Sequence, residues 1–183
     1  MLAYHVVTER PMYVGQRIVF DETHHSGVYQ RVLAKKDLVD AIYADPTGYD
    51  AAALEHHTSV ALRELALEEV RRMSYPQYPS RLACLYVSAS LEEAEEWGRY
   101  FSDIGRPTYH IVELDVNGRC FVGDAAKCFA GRPNKEENLR LAELYWKNDV
   151  CTTDTRVIRE LLVDGQLTVV RIVKEINKNI LQL

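Results

Sequence analysis

Apolar residues recur with two different spacings along the chain, and the spacing changes from strand-like to helix-like within residues 81–101. In that segment an apolar run at residues 82–87 is followed by Ser88, Ala89 and Ser90, and then by apolar residues at helical spacing. The run has the length of a strand that is buried on both faces. Ser90 is expected to cap the following helix, with Glu93 as its capping-box partner.

Strand-like segments lie towards both ends of the chain, and helical patterns lie mostly between them. The expected strands are residues 3–8, 16–20, 108–116, 119–122, 157–163 and 166–173. The further helical patterns are residues 32–43, 49–73 and 136–148. The dipeptides at 117–118 (Asn-Gly) and 164–165 (Asp-Gly) predict tight hairpin turns. This order predicts an α+β fold with a mixed or antiparallel sheet.

Composition limits the classes of protein to which the chain can belong. With 183 residues, 47% of them apolar, it is expected to form one domain over residues 1–183. A net charge of −5 argues against a broad nucleic-acid-binding surface. The four cysteines show no CxxC spacing, so reduced, mostly buried thiols are expected. Neither a leader nor a membrane-spanning run is evident, which predicts a cytoplasmic protein without a membrane partner.

Common catalytic signatures are absent from the sequence: it has no Walker loop, GxGxxG, GxSxG, HExxH or kinase motif. Three residues in strand-like segments are left as candidates, namely His5, Tyr86 and Glu160. Each also has an ordinary structural interpretation. A strand histidine is often a hydrogen-bonded structural residue, a strand tyrosine often packs in the core, and a glutamate at a strand edge is often solvated.

Taken in order, these three positions resemble the H-Y-E class of ADP-ribosyltransferases. AYHVVT resembles the first motif strand of that class, LYVSASLEEAEEWGRYF the second with its helix, and RELLVDGQLTVVRIV the third. TYHIVELDVNGRCFVGD is similar to a hairpin of the rifampin-modifying enzymes, the group that the chain resembles most. The resemblance implies a split mixed or antiparallel sheet, with a helical insertion at about residues 32–75 between the first two motif strands. It also suggests an uncharacterised bacterial domain family of that fold.

The resemblance gives each candidate a role in cleaving NAD, a consumed cosubstrate, without a metal. Glu160 would hold the 2′-hydroxyl of the nicotinamide ribose and stabilise the oxocarbenium-like transition state. Tyr86 would stack on the nicotinamide ring, and His5, assisted by Thr8, would hydrogen-bond the adenosine ribose. Two more residues are expected to contact NAD: Arg81 at its pyrophosphate, and Ser88.

The chain departs from the class at two places. The class usually has glycine after the histidine, where the backbone approaches the nicotinamide amide, but this chain has Val6, which is expected to narrow the pocket. In the rifampin-modifying enzymes the acidic residue comes earlier, at a position that would align with Asp124. Asp124 is therefore an alternative to Glu160 as the third catalytic residue, and Glu113 and Asp115 are further candidates.

Other polar residues have less specific interpretations. His24 and His25 lie in a polar loop at residues 21–29 that could meet a ligand, whereas His56 and His57 are expected to be surface or packing residues. A small basic cluster follows Asp124 and could meet phosphate or nucleic acid; its members are Lys127, Arg132 and Lys135. The loops at 21–29 and 123–134 are expected to select the acceptor.

Three function classes remain open at this point. The first is an NAD-dependent mono-ADP-ribosyltransferase, a glycosyltransferase that acts on a protein, nucleic-acid or small-molecule acceptor. Such an enzyme could be a bacterial toxin or antiphage effector with an antitoxin or another partner protein. The second is an enzyme similar to the RNA 2′-phosphotransferase. The third is a non-catalytic module on the same fold that binds NAD, another ligand or a partner.

Overall fold

The computed structural model describes residues 1–8, 10–147 and 158–176. Its strands form two antiparallel sheets, one with the order β1-β4-β7-β2 and one with the order β3-β6-β5. The strands are β1 (Leu2–Val7), β2 (Arg17–Phe20), β3 (Leu85–Val87), β4 (His110–Asn117), β5 (Cys120–Asp124), β6 (Arg159–Val163) and β7 (Gly165–Glu175). The α+β prediction with antiparallel pairing is confirmed.

The described residues form five α-helices, of which three pack on the sheets and two pack on another helix. They are α1 (Gly27–Leu33), α2 (Lys36–Ala44), α3 (His56–Ser74), α4 (Leu91–Asp103) and α5 (Lys135–Trp146). Short 3-10 helices occur at Pro46–Gly48, Ala51–Ala53 and Ala125–Lys127. The predicted helical segment before β3 is therefore confirmed, although its first helix begins at Gly27, inside the segment expected to be a loop. None of the helices that the structure describes is long and apolar enough to cross a membrane.

The main core lies between the two sheets. Ala3 and Val7 of β1 pack there with the inward residues of β4 and β7 and with Val87, Leu161 and Val163 of the second sheet. A second cluster joins the outer face of the second sheet to α3 and α5, and a third joins β1 and β4 to α4. Burial on both faces explains why these short strands are apolar without strict alternation.

In residues 81–101, the helix forms as expected, but the strand does not. The Ser90 hydroxyl accepts the Glu93 N–H at 3.2 Å, and the Glu93 carboxylate accepts the Ala89 N–H at 3.1 Å, so the predicted cap is confirmed. The strand prediction for residues 82–87 is wrong in its first half, because β3 begins only at Leu85. The chain turns before β3, with the Ala83 N–H donating to the Ser80 carbonyl at 3.0 Å.

Both hairpin predictions are wrong. β4 pairs with β1 and β7, whereas β5 pairs with β6, so the chain changes sheet at Asn117–Gly118 and again between β6 and β7. The two turns pack against each other: a Cβ on Gly118 would lie 1.9 Å from the Asp164 backbone oxygen. Gly165 adopts a left-handed φ of 82°. Burial of apolar faces between the sheets, rather than the local turn signal, decides which strands pair.

Candidate active site

The two sheets meet along β1 and β3, and His5 and Tyr86 lie at this junction. An isolated antiparallel bridge joins Tyr4 to Ser88, with backbone hydrogen bonds of 2.9 and 2.7 Å. One residue further along β1, Nδ1 of His5 lies 2.8 Å from the Tyr86 carbonyl oxygen. Because a carbonyl only accepts, Nδ1 carries the proton. This bond fixes the orientation of the imidazole at the point where the sheets separate.

The peptide groups of Val6 point towards the same junction. In the ladder between β1 and β4, Met1 and Val116 exchange both backbone hydrogen bonds, at 2.6 and 2.8 Å, so odd-numbered residues of β1 bond to β4. Even-numbered residues present their N–H and C=O on the other side, as Tyr4 does in its bridge to Ser88. The backbone of Val6 therefore faces the junction with β3.

The Val6 side chain does not narrow this junction. It is buried in the cluster under α4 with Ala94 and Ile111. Its Cγ1 would lie 3.8 Å from a Cβ built on Gly98. The expectation that valine in place of glycine constricts the pocket is therefore wrong, because the side chain of a residue at this position of β1 points into the layer between the sheet and α4.

Tyr86 lies on β3 opposite Leu162 of β6. The residue is 36% exposed, and its ring lies near the Arg81 guanidinium, whose Cζ is 5.3 Å from the ring centroid. Loss of solvation raises the pKa of Tyr86 well above its ordinary value, so the phenol is neutral at physiological pH. Part of the residue therefore reaches the surface beside the sheet junction, while its phenol is shielded from solvent.

Glu160 lies on β6, next to β3, with a side chain that is 11% exposed. Val87 of β3 pairs with Leu161 of β6. Because the two strands are antiparallel, the next residue after Val87, Ser88, lies opposite the residue before Leu161, Glu160. Two donors approach Oε1 of Glu160: Nη1 of Arg81 at 2.9 Å and the Tyr145 hydroxyl at 2.6 Å. The third motif residue is thus a partly buried carboxylate held from one side.

Arg81 lies at the centre of a buried polar cluster formed by Glu64, Arg81, Tyr145 and Glu160. Its Nε lies 3.0 Å from Oε2 of Glu64, and its Nη1 lies 2.6 Å from the Tyr145 hydroxyl. Burial alone would raise the pKa of Glu64, but the guanidinium groups of Arg81 and Arg63 outweigh it and hold that pKa below its ordinary value. Burial raises the pKa of the Tyr145 hydroxyl well above its ordinary value. Tyr145 therefore stays protonated and can donate to Glu160.

The burial of Arg81 is an obstacle to the expected contact between its guanidinium and the pyrophosphate of NAD. Only 6% of its side chain is exposed, and its donors already bond to Glu64, Tyr145 and Glu160. A pyrophosphate contact would require some of these bonds to break, and the role stays a prediction. Sequence reasoning missed Glu64 and Tyr145. A signal existed for Glu64, because it lies three residues after the buried Ala61 on the apolar face of α3.

The alternative acidic residues lie elsewhere. Asp124 ends β5, where Gly123 rather than Asp124 pairs with Glu160, and its carboxylate accepts the Ala126 N–H at 3.0 Å. Since neighbouring residues of a strand point to opposite faces, Asp124 and Glu160 do not share a face. Glu113 accepts from Arg171 at 2.9 Å and from Tyr4, and Asp115 lies 3.6 Å from the N-terminal amine. The structure brings none of the three to Glu160.

The remaining predicted positions are spread over the surface or serve the fold. Thr8 directly follows β1, and Ser88 is buried at the bridge. In the polar loop His24 bonds to Asp21, and His25 stacks on Tyr29 at 3.7 Å. In the basic cluster, Arg132 pairs with Glu137, and Lys135 pairs with Glu69.

Two surface depressions lie away from the junction. One of about 120 Å³ is lined by His56, His57 and residues of α1 and α3. Another of about 180 Å³ lies between α4 and the end of β7, beside Gly98 and Lys174. In the part of the chain that the structure describes, no group of three or more His, Cys, Asp or Glu side chains could hold a metal ion.

Residues 3–177 match the sequence profile of a protein family, so the match includes all three motif strands. The chain belongs to the family described as "Protein of unknown function (DUF2441)". No curated protein matches it. Because the description of DUF2441 assigns no activity, the function of this DUF2441 chain has to be inferred from the junction of β1, β3 and β6.

Proposed function

We propose that the protein is an NAD-dependent mono-ADP-ribosyltransferase with its active site at the junction of β1, β3 and β6. One observation carries the proposal: the strands that hold His5, Tyr86 and Glu160 lie side by side, although they are distant in sequence. His5 contacts Tyr86 directly, and Arg81 contacts both Tyr86 and Glu160. This is the grouping that the resemblance to the H-Y-E class implies.

The orientation of the Val6 backbone supports the proposal, because the resemblance implies that the nicotinamide amide meets the backbone at this position. A nicotinamide carboxamide presents one N–H donor group and one carbonyl acceptor, and a strand residue whose N–H and C=O point the same way complements both. Val6 has this orientation, towards the junction. With the amide held there, the Tyr86 ring is the aromatic surface on β3 against which the nicotinamide could stack.

The proposed reaction breaks the bond between C1′ of the ribose and the nicotinamide nitrogen, and the bonding electrons leave with nicotinamide. Positive charge develops on the ribose ring, and the acceptor then bonds to C1′ and loses a proton. Glu160 would stabilise that charge as a preorganised anion and bind the adjacent 2′-hydroxyl. His5 would bind the adenosine ribose. Acceptor identity and any toxin, antiphage or partner role belong to the same proposal and rest on the resemblance.

A second candidate function has one observation in its favour. Oε1 of Glu160 is bonded to both Arg81 and Tyr145, and the side chain is largely enclosed. Such a carboxylate could serve the fold alone, in a module that binds NAD or a partner without catalysis. The two candidates differ in whether nicotinamide is released.

The decisive experiment measures both binding and turnover of NAD by the purified protein. Saturation-transfer NMR would report binding, and chromatography would report nicotinamide, with and without a cell lysate as a source of acceptor. NAD labelled with ³²P in its adenylate phosphate would mark a modified acceptor. Nicotinamide release above the spontaneous rate supports the transferase. Binding without release supports the module, and the absence of both contradicts the proposed site.

A further inference from the structure

We infer that Arg81 and Tyr145 are positioning residues that orient the Glu160 carboxylate, and that helices α3 and α5 anchor them. The inference rests on the proposed function; it gives Arg81 a role other than the expected pyrophosphate contact, and it gives Tyr145 a role that the resemblance does not include. Arg81 precedes β3, Tyr145 belongs to α5, and Glu64, which holds Arg81, belongs to α3. The helical layer would thus be part of the active-site architecture.

The geometry of the carboxylate is the first argument. Both donors bond to the same oxygen, Oε1, at 2.9 Å from Arg81 and 2.6 Å from Tyr145. Among the described residues Oε2 of Glu160 accepts no hydrogen bond, and the side chain retains 11% exposure. Two donors on one oxygen fix the carboxyl plane and leave the other oxygen for a substrate hydroxyl. This arrangement suits a group that must meet a ribose 2′-hydroxyl in one orientation.

The charge balance is the second argument. Glu64 receives Arg81 at Nε, 3.0 Å away, and at Nη2, 3.4 Å away, whereas Glu160 receives only Nη1. Arg63 also pairs with Glu64, at 2.9 Å. Together with Arg63, the cluster therefore brings two guanidinium groups to two carboxylates, with Arg81 shared between the carboxylates. Glu160 keeps more of its negative charge available than it would in an exclusive pair with Arg81.

The position of Tyr145 is the third argument. Its ring is fully enclosed and packs against Phe121 and Trp146, with centroid distances of 5.5 and 4.9 Å. Its hydroxyl accepts from Arg81 and donates to Glu160, so a single atom links the two. A ring that is fixed on all sides can hold its hydroxyl, and through it Glu160, in one place.

The test uses Tyr145→Phe, which removes only the hydroxyl and keeps the packed ring. Tyr78→Phe is the matched control, since Tyr78 packs on the same Phe121 and Trp146 rings but lies outside the Glu160 contacts. We expect Tyr145→Phe to lower kcat for nicotinamide release by about 10- to 100-fold with KM for NAD changed less than about 2-fold. Tyr78→Phe should leave both constants unchanged. Equal kcat values for Tyr145→Phe and the wild type would overturn the inference.

A second measurement does not depend on turnover. Urea unfolding of the wild type, Tyr145→Phe, Glu160→Ala and the double variant gives the coupling between the two side chains. We expect the two single effects on the unfolding constant to be non-additive by about 10-fold. Additive effects would overturn the positioning role even if the wild type releases nicotinamide. Coupling in a protein without any turnover would instead leave the contact established and reject the transferase.

Discussion

Arg81 and Glu160 form an ion pair of 2.9 Å between the segment before β3 and strand β6, and Arg81 also pairs with Glu64 on α3. One guanidinium therefore connects two sequence-distant carboxylates inside the protein. Buried charges of this kind are costly when they lose a partner, so the pair makes the fold and the candidate site depend on the same residue.

Replacing Arg81 by methionine should destabilise the protein strongly. Glu64 would keep only Arg63, and Glu160 only Tyr145, so we expect the free energy of unfolding at pH 7 to fall by about 3–5 kcal/mol. Urea denaturation would measure the change. Arg72→Met is the matched control, because Arg72 pairs with Glu68 while its side chain is 74% exposed, and it should cost less than about 1 kcal/mol. Similar losses in both variants would show that burial of the Arg81 pair is unimportant.

Val6→Ala and Val6→Gly should affect stability rather than NAD turnover. The side chain packs under α4 against Ala94 and Ile111, so its truncation to alanine should cost about 2 kcal/mol in the free energy of unfolding. kcat/KM for NAD should not rise, because the valine methyl groups do not face the junction. A rise of about 10-fold or more in Val6→Gly would mean that valine does obstruct the nicotinamide site.

The packed turns at Gly118 and Gly165 should tolerate no side chain. A Cβ on Gly118 would lie 1.9 Å from the Asp164 backbone oxygen, which only a backbone shift could relieve. We expect Gly118→Ala to lower the free energy of unfolding by more than about 2 kcal/mol. Gly105→Ala is the control: its added Cβ meets no atom within 4 Å, so any loss of stability there reflects only its left-handed φ of 74°. Equal losses at both sites would argue against close packing of the two turns.

His110 should make stability depend on pH. Burial lowers the pKa of this imidazole below its ordinary value, although Glu175, 3.8 Å away, opposes the shift, and Nε2 accepts the Met12 N–H at 3.1 Å. The unfolded chain then binds the proton more readily than the folded one. The neutral His110 therefore contributes its full stability above pH 6.5, and this contribution is lost as the pH falls through the folded pKa. His110→Leu should show a smaller loss of unfolding free energy between pH 7 and 5. A pH dependence identical to that of the wild type would contradict this.

Local signals in the sequence predicted local features of the fold well. The Ser90 cap, the strands at both ends and the helical segment before β3 follow from side-chain periodicity and capping chemistry. The sequence could not predict that the chain crosses from one sheet to the other after β4 and again after β6. Asn117–Gly118 is a strong hairpin signal, but the pairing of the following strand depends on β6, which lies about 40 residues later.

The candidate site was predictable only in part, for a similar reason. A motif resemblance found His5, Tyr86 and Glu160, and the structure adds that their strands are neighbours. The partners of Glu160 were not found, because Arg81 is 79 residues from it and Tyr145 approaches through a different layer. The alternative, Asp124, could be set apart from Glu160 only once the β5–β6 register was known.

The most direct test of the account compares nicotinamide release from NAD by Glu160→Gln and Asp124→Asn. Each substitution removes one negative charge with almost no change in volume, and the register places only Glu160 beside β3. We predict that Glu160→Gln lowers kcat by at least about 100-fold, whereas Asp124→Asn stays within about 3-fold of the wild type. Full activity of Glu160→Gln, or loss of activity only in Asp124→Asn, would contradict the proposed active site.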